Sequence, residues 1–289
     1  MDFAQQILNG LTVGSIYALV ALGFSIVYGA LGLVNFGHGQ VLMAGTFVTL
    51  ALTEFGLPVW LAGIGGIAAG AILALILEEV AVRPVLHANL LIPMMTTLGI
   101  GLIYLNFAEL RFGSGLVPFP SFFGQGFVSI GGLRMSTATF VTLGTTIVAL
   151  VAFAAFLKYT RPGFAIRAVA QNITAARLMG IPVTRTIMLV YAMGGALGVV
   201  GGILFSNAIG VVFVTMGFPL LIKGFAAAVV GGIGNLQGAV IGGLVIGIFE
   251  ALLGPLVGSY RDAIAFALLI VFLLIRPAGL LGARIQERV

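Results

Sequence analysis

Residues 158–185 read KYTRPGFAIRAVAQNITAARLMGIPVTR. This is the longest polar interval in an otherwise apolar chain. It holds Lys158, Arg161, Arg167, Arg177 and Arg185 and no Asp or Glu. Segments apolar enough to cross a bilayer flank it on both sides, residues 137–157 and 186–211. Inside it, residues 165–179 read as a short helix, with Pro162 near the start and Gly180 just past the end. A short basic helix tied to two spans has the form of a lever on a membrane face.

The rest of the chain supports a membrane setting. Only 7% of its 289 residues are charged and 61% are hydrophobic, with a mean hydropathy of +1.23. Soluble domains carry about 25% charged residues, so the bilayer is the expected solvent. The 43 glycines argue for helices that pack closely or break. With no Cys, disulfides and thiolate metal sites are excluded. The first apolar run has neither a basic leader nor a clear small-residue cleavage site, so no cleavable signal peptide is expected.

Apolar runs fall at residues 11–33, 41–52, 59–82, 93–110, 137–157, 186–211, 219–232, 239–253 and 263–275. The expected fold is all-α, a single polytopic transmembrane domain over residues 1–289. About eight or nine helices cross, and the short runs at 41–52 and 219–232 read as broken or half-length helices related by a weak internal repeat. Residues 112–135 are too polar and too rich in Gly and Pro to span. Alternation puts Arg83, the five cations of residues 158–185, and Arg276, Arg284 and Arg288 on one side, nine of 13 basic residues. By the positive-inside bias that side is cytoplasmic, with the C-terminus; residues 112–135 and the N-terminus are outside.

Each half carries a Gly-rich polar break beside a short apolar run: Asn35 to Gln40, and Gly231 to Gly238 with Asn235 and Gln237. Such paired interruptions point to a transport pathway, although each also reads as an ordinary tight turn. His38 and Asn35 either line a polar opening or hold the broken backbone. Lys223 sits in an apolar segment and must snorkel, pair or face water; Glu250 is its plausible partner. Small residues at a spacing of four, as in Gly194, Gly198 and Gly202, Ala62, Gly66 and Gly70, and Gly243 and Gly247, mark close helix packing.

Several chemistries are excluded. His38 and His87 are the only histidines, and there is no H-E-x-x-H, P-loop or dinucleotide fingerprint. No nucleophile–base constellation supports an enzyme. Nucleic acid is not needed to explain basic residues beside membrane spans.

Several separated motifs, in order over nearly the whole chain, carry a resemblance. They are GLTVGSIYAL from Gly10, VNFGHG from Val34, RAVAQN from Arg167 with Ala175, Ala176, Gly180 and Ile181, KGFAAAVVGGIG from Lys223 with Gly238, and RPAG from Arg276. The chain resembles the permease subunits of ATP-binding-cassette importers for branched-chain and other hydrophobic amino acids, and most the shorter of their two related permeases. Gly37 stands where that family usually has Ala, and its usual acidic residue before the paired alanines is absent.

The resemblance implies a bacterial inner-membrane complex with a second related permease, two cytoplasmic ATPase subunits that hold ATP and Mg, and a periplasmic solute-binding protein. This chain would carry no cofactor. The resemblance also implies a coupling helix at Ala175, Ala176 and Gly180, served by Arg167, Asn172 and Arg177. The pathway candidates are then Asn35, His38, Gln40, Lys223, Asn235, Gln237 and Glu250. Relatives of similar sequence carry urea, short amides or aromatic acids. An ATP-independent transporter or channel is the rival class, with Glu250 as its obvious intramembrane carboxylate.

Overall fold

A computed structural model describes residues 3–86, 88–122, 126–130, 133–276 and 278–282. His87, Arg284 and Arg288 lie outside the described residues. Helix α1 (Phe3–Leu31) is followed by a short bend and α2 (His38–Glu54), then by α3 (Val59–Leu77). A single π turn at Glu78–Val82 extends α3. Next come α4 (Leu91–Phe112), strands β1 (Val117–Pro118), β2 (Phe127–Ile130) and β3 (Leu133–Ser136), and α5 (Thr137–Tyr159). The polar interval forms α6 (Arg161–Gln171) and α7 (Ile173–Leu178). Then follow α8 (Val183–Ile209), β4 (Val211–Val212), α9 (Gly217–Gly231), α10 (Leu236–Val257) and α11 (Arg261–Ile275).

Among the described residues, seven helices are long and apolar enough to cross a membrane. These are α1, α3, α4, α5, α8, α9 with the turn before it, and α10; α2 and α11 are shorter, at 17 and 15 residues. Helices suit these segments because a bilayer offers no water to satisfy backbone N–H and C=O groups. Residues 112–135 are indeed not a span: they carry β1, and β2 pairs with β3 from Phe127↔Ser136 to Ile130↔Leu133.

Helix α1 is the axis. Of its most apolar window 89% is buried, against 22% in α4 and in α5, so α1 is surrounded by protein while α4 and α5 face outward. It runs antiparallel to α10, where Gly14 opposes Gly243 and Gly10 opposes Gly247, and a β-carbon on Gly10 would stand 2.6 Å from the Ile248 Cα. Only hydrogen fits there. Gly23 meets the Gly194 carbonyl of α8 in the same way, so the four-residue spacings do mark close packing.

The two ends of the bundle are distinct. At one end, α6 lies against α1 and α7 against α6 and α8, and Leu280 and Leu281 donate backbone N–H bonds to the Val230 and Gly231 carbonyls. At the other, β1 pairs with β4, Val117 opposite Val212. The expected single helix over 165–179 is two helices. Asn172 is extended (φ −161°, ψ 108°), and its side chain caps α7 by accepting from Ala175 N at 2.9 Å. A side chain that can replace a backbone hydrogen bond locally turns the chain where periodicity alone would continue it.

Candidate functional site

Two short helices meet inside the bundle. After Leu31 the chain turns back and starts α2 at His38, which is only 2% exposed. Gly39, in the first turn of α2, lies on the Gly217 carbonyl, in the first turn of α9. Neither position tolerates a β-carbon. Asn35 holds the bend: its Oδ1 accepts from Gly37 N at 3.0 Å, and its carbonyl accepts from His38 N at 3.3 Å. Thr97 of α4 steadies the same bend by accepting from Phe36 N at 3.3 Å.

His38 sits between α1 and α8. A β-carbon on Gly23 would lie 3.0 Å from its Cε1 and one on Gly198 3.1 Å. Gln40 is buried beside Gly101 and Gly217. Among the described residues, His38 Nε2 and Gln40 Oε1 have no hydrogen-bond partner.

Lys223 is paired. Its Nζ lies 3.0 Å from Glu250 Oε1, 2.7 Å from Asp262 Oδ1 and 2.9 Å from the Tyr17 hydroxyl, which in turn donates to Glu250 Oε2 at 2.8 Å. One cluster thus joins α9, α10, α11 and α1. Tyr17 is the middle residue of α1, about 21 Å from either end at 1.5 Å per residue. A lone Lys at the centre of a span costs about 2.5–3.5 kcal/mol; for the buried Lys223 the two carboxylates and the phenol offset a cost of that kind. The Lys223–Glu250 pairing follows the sequence. Tyr17 and Asp262 join it without a signal in the sequence, because α1 also carries Tyr28 and several other polar side chains.

The second polar break stands apart from the first. Asn235 caps α10, accepting from Gly238 N at 3.0 Å and donating to the Leu281 carbonyl at 2.8 Å. It lies at the basic end, close to Gly29 through Gly234. Gln237 is exposed there. The structure therefore brings Lys223 together with Glu250, and Asn35 with His38 and Gln40, and leaves Asn235 and Gln237 with neither group.

At the same end, α6 and α7 form an arm. Ile166 and Val169 are buried under α6 and Ala176 under α7, whereas Arg167, Ala175 and Arg177 are exposed. Gly180, at φ +79°, closes α7: Ile181 N donates to the Ala176 carbonyl and Gly180 N to the Arg177 carbonyl, both at 3.1 Å. A left-handed residue after the helix lets both bonds form. Leu178 and Met179 are 83% and 82% exposed. Large apolar residues beside a Gly on a short basic helix are a signal that the sequence carries.

A cavity of about 480 Å³ lies behind the arm, between Arg177, Thr174 and Thr184 on one side and Glu78 and Arg83 on the other. Glu78, at the π turn, is 2% exposed; its Oε1 lies 3.6 Å from Arg83 Nε, and its Oε2 has no hydrogen-bond partner among the described residues. Single π turns inside helices are frequent at functional positions.

A family model described as the permease component of branched-chain amino acid transport systems matches residues 6–273. The chain is 38% identical to the high-affinity branched-chain amino acid transport system permease protein LivH of Escherichia coli K12, over 99% of this chain and 98% of that one. It is 36% identical to the corresponding protein BraD of Pseudomonas aeruginosa, over the same shares. Among solved structures, PsaBC from Streptococcus pneumoniae in complex with Fab matches at a TM-score of 0.51 and 19% identity, covering 96% of this chain and 93% of that one. That likeness concerns the fold alone.

Proposed function

Because the chain belongs to the family of branched-chain amino acid transport permease components, we propose that it is one membrane subunit of an ATP-driven importer for branched-chain or similar hydrophobic amino acids. LivH and BraD, named for that substrate class and aligned end to end with this chain, support the reading. In it the chain is a single transmembrane domain in a bacterial inner membrane, with the arm and the C-terminus in the cytoplasm. It does no covalent chemistry. ATPase subunits hold ATP and Mg, a periplasmic binding protein delivers the substrate, and a second, related permease supplies the other wall of the pathway.

The observation that carries the proposal is the arm. Leu178 and Met179 stand out into solvent at the end of a rigidly capped helix, and Ala176 anchors that helix to the bundle. Exposed large apolar side chains on a short basic helix fit a groove of a cytoplasmic partner. Movement of α7 then passes through Ala176 and the Arg177–Glu78 cavity to α3 and α8, and rigid-body motion of the spans switches access.

The pathway wall is assigned to the outward face of α9. Thr215, Phe218, Ile222 and Phe225 recur there at helical spacing, exposed or half-buried. An apolar face suits an apolar side chain. Lys223 points the other way, into its cluster, and holds this wall in place rather than touching substrate. Asn35, His38 and Gln40 shape the meeting of α2 and α9.

The test is Leu178→Asp with Met179→Asp, two exposed positions whose change leaves the bundle intact. We expect the ATPase subunits to be lost on purification and substrate-stimulated ATP hydrolysis to vanish after reconstitution. Undiminished uptake by the variant, or uptake by the purified chain alone, sinks the assignment.

A further inference from the structure

A groove of about 720 Å³ runs down the outside of the bundle at its basic end. Leu22 of α1, Leu150 and Phe153 of α5, and Val240 and Ile241 of α10 form its walls. Lys158 and Arg167 stand at its rim, with Gln237 of α10 beside them. Along α5, Leu150, Ala154, Leu157 and Lys158 share one face. The apolar track from Leu150 to Lys158 is therefore about 12 Å long at 1.5 Å per residue, with the charge at its end.

Among the described residues the two cations have no acidic partner. No Asp or Glu occurs in the sequence between Glu109 and Glu250. The ion pairs among the described residues involve Arg83 and Lys223. Lys158 and Arg167 rest only against aromatic rings of their own helices, Tyr159 at 5.2 Å and Phe164 at 5.9 Å. Tyr159 and Phe164 are themselves 76% and 61% exposed, as amphipathic and apolar rings are at headgroup level. An apolar furrow that ends in unpaired cations at that level has the complementarity of one molecule, an anionic lipid.

We propose that this groove binds an anionic phospholipid of the leaflet on the basic side. Its phosphate sits between Lys158 and Arg167, and one acyl chain lies along the furrow between α5 and α10. Because Lys158 ends the span α5 and Arg167 belongs to α6, the lipid ties the arm to the membrane. The proposal needs only that the chain spans a membrane. It stands or falls separately from the importer reading.

The experiment is native mass spectrometry of the intact purified transporter, equilibrated with phosphatidylglycerol and phosphatidylcholine of matched acyl chains. Phosphatidylglycerol should be retained preferentially. Lys158→Gln with Arg167→Gln should reduce that preference by about twenty-five-fold, roughly fivefold from each cation. Arg111→Gln, at the opposite end of the bundle, should leave it unchanged. This chain has no Cys, so Ala154→Cys gives it a single position at which a photocrosslinker enters the furrow, where it should label lipid. An unchanged preference in the double variant overturns the proposal. So does a crosslink from position 154 to another polypeptide, which would assign the groove to a subunit interface.

Discussion

Lys223 on α9 and Arg177 on α7 are both cations in a chain with 13 basic residues and eight acidic ones, and their surroundings are opposite. Lys223 is buried against two carboxylates and a phenol drawn from three other helices. Arg177 is exposed on a six-residue helix, and the nearest acid in its cavity, Glu78, is engaged by Arg83. The same charge is a cross-link in one region and an open contact in the other. A charge buried among helices persists only with partners, and those partners fix four helices relative to one another. A charge at the rim needs none, and stays free to meet something outside the chain.

The contrast breaks most sharply at Glu250. Glu250→Ala leaves Lys223 buried with only the largely exposed Asp262 and the Tyr17 phenol, and should cost about 3–5 kcal/mol. The measurement is thermal aggregation of the detergent-solubilised chain followed by size-exclusion chromatography. In Lys223→Met with Glu250→Leu, most of that loss should return, because apolar replacement of both partners removes the uncompensated charge. Failure of the double variant to recover would give the cluster a role beyond bracing.

The next effect falls on the arm. Asn172→Ala removes the cap of α7 and should cost about 1 kcal/mol locally. Global thermal stability should hardly move, while substrate-stimulated ATP hydrolysis in the reconstituted complex falls. Equal loss of both would mean that the arm belongs to the same cooperative unit as the bundle. The smallest effect belongs to Asp262→Asn. Asp262 is 67% exposed at its side chain, so its ion pair with Lys223 should contribute under about 1 kcal/mol. Added salt should mask the substitution in the thermal assay. A larger cost would move Asp262 into the buried half of the comparison.

Much of this architecture was legible in the residues. The basic interval, the non-spanning stretch at 112–135 and the short α2 each follow from local composition, whereas α9 with the turn before it reaches span length and α11 falls short of it. Gly194 and Gly198 announced close packing without saying against what, and the answers are the Gly23 carbonyl and the His38 ring. The turn at Asn172 was hidden because a capping side chain acts at one position inside a continuous helical pattern. The two polar breaks looked equivalent because both are Gly-rich. One lies within the bundle and the other is tied to the Leu281 carbonyl at its surface, a difference that depends on where the neighbouring helices end.

The sequence by itself determined the solvent, the helical class and the basic interval. All of these are sums over neighbouring residues, and transfer between water and lipid is close to additive along a chain. Only the tertiary structure decided that Tyr17 lies within hydrogen-bond reach of a lysine 206 positions away, that Gly39 meets Gly217, and that Leu178 and Met179 are left uncovered. Those facts depend on the relative rotation and depth of separate helices, which packing fixes and local composition does not encode.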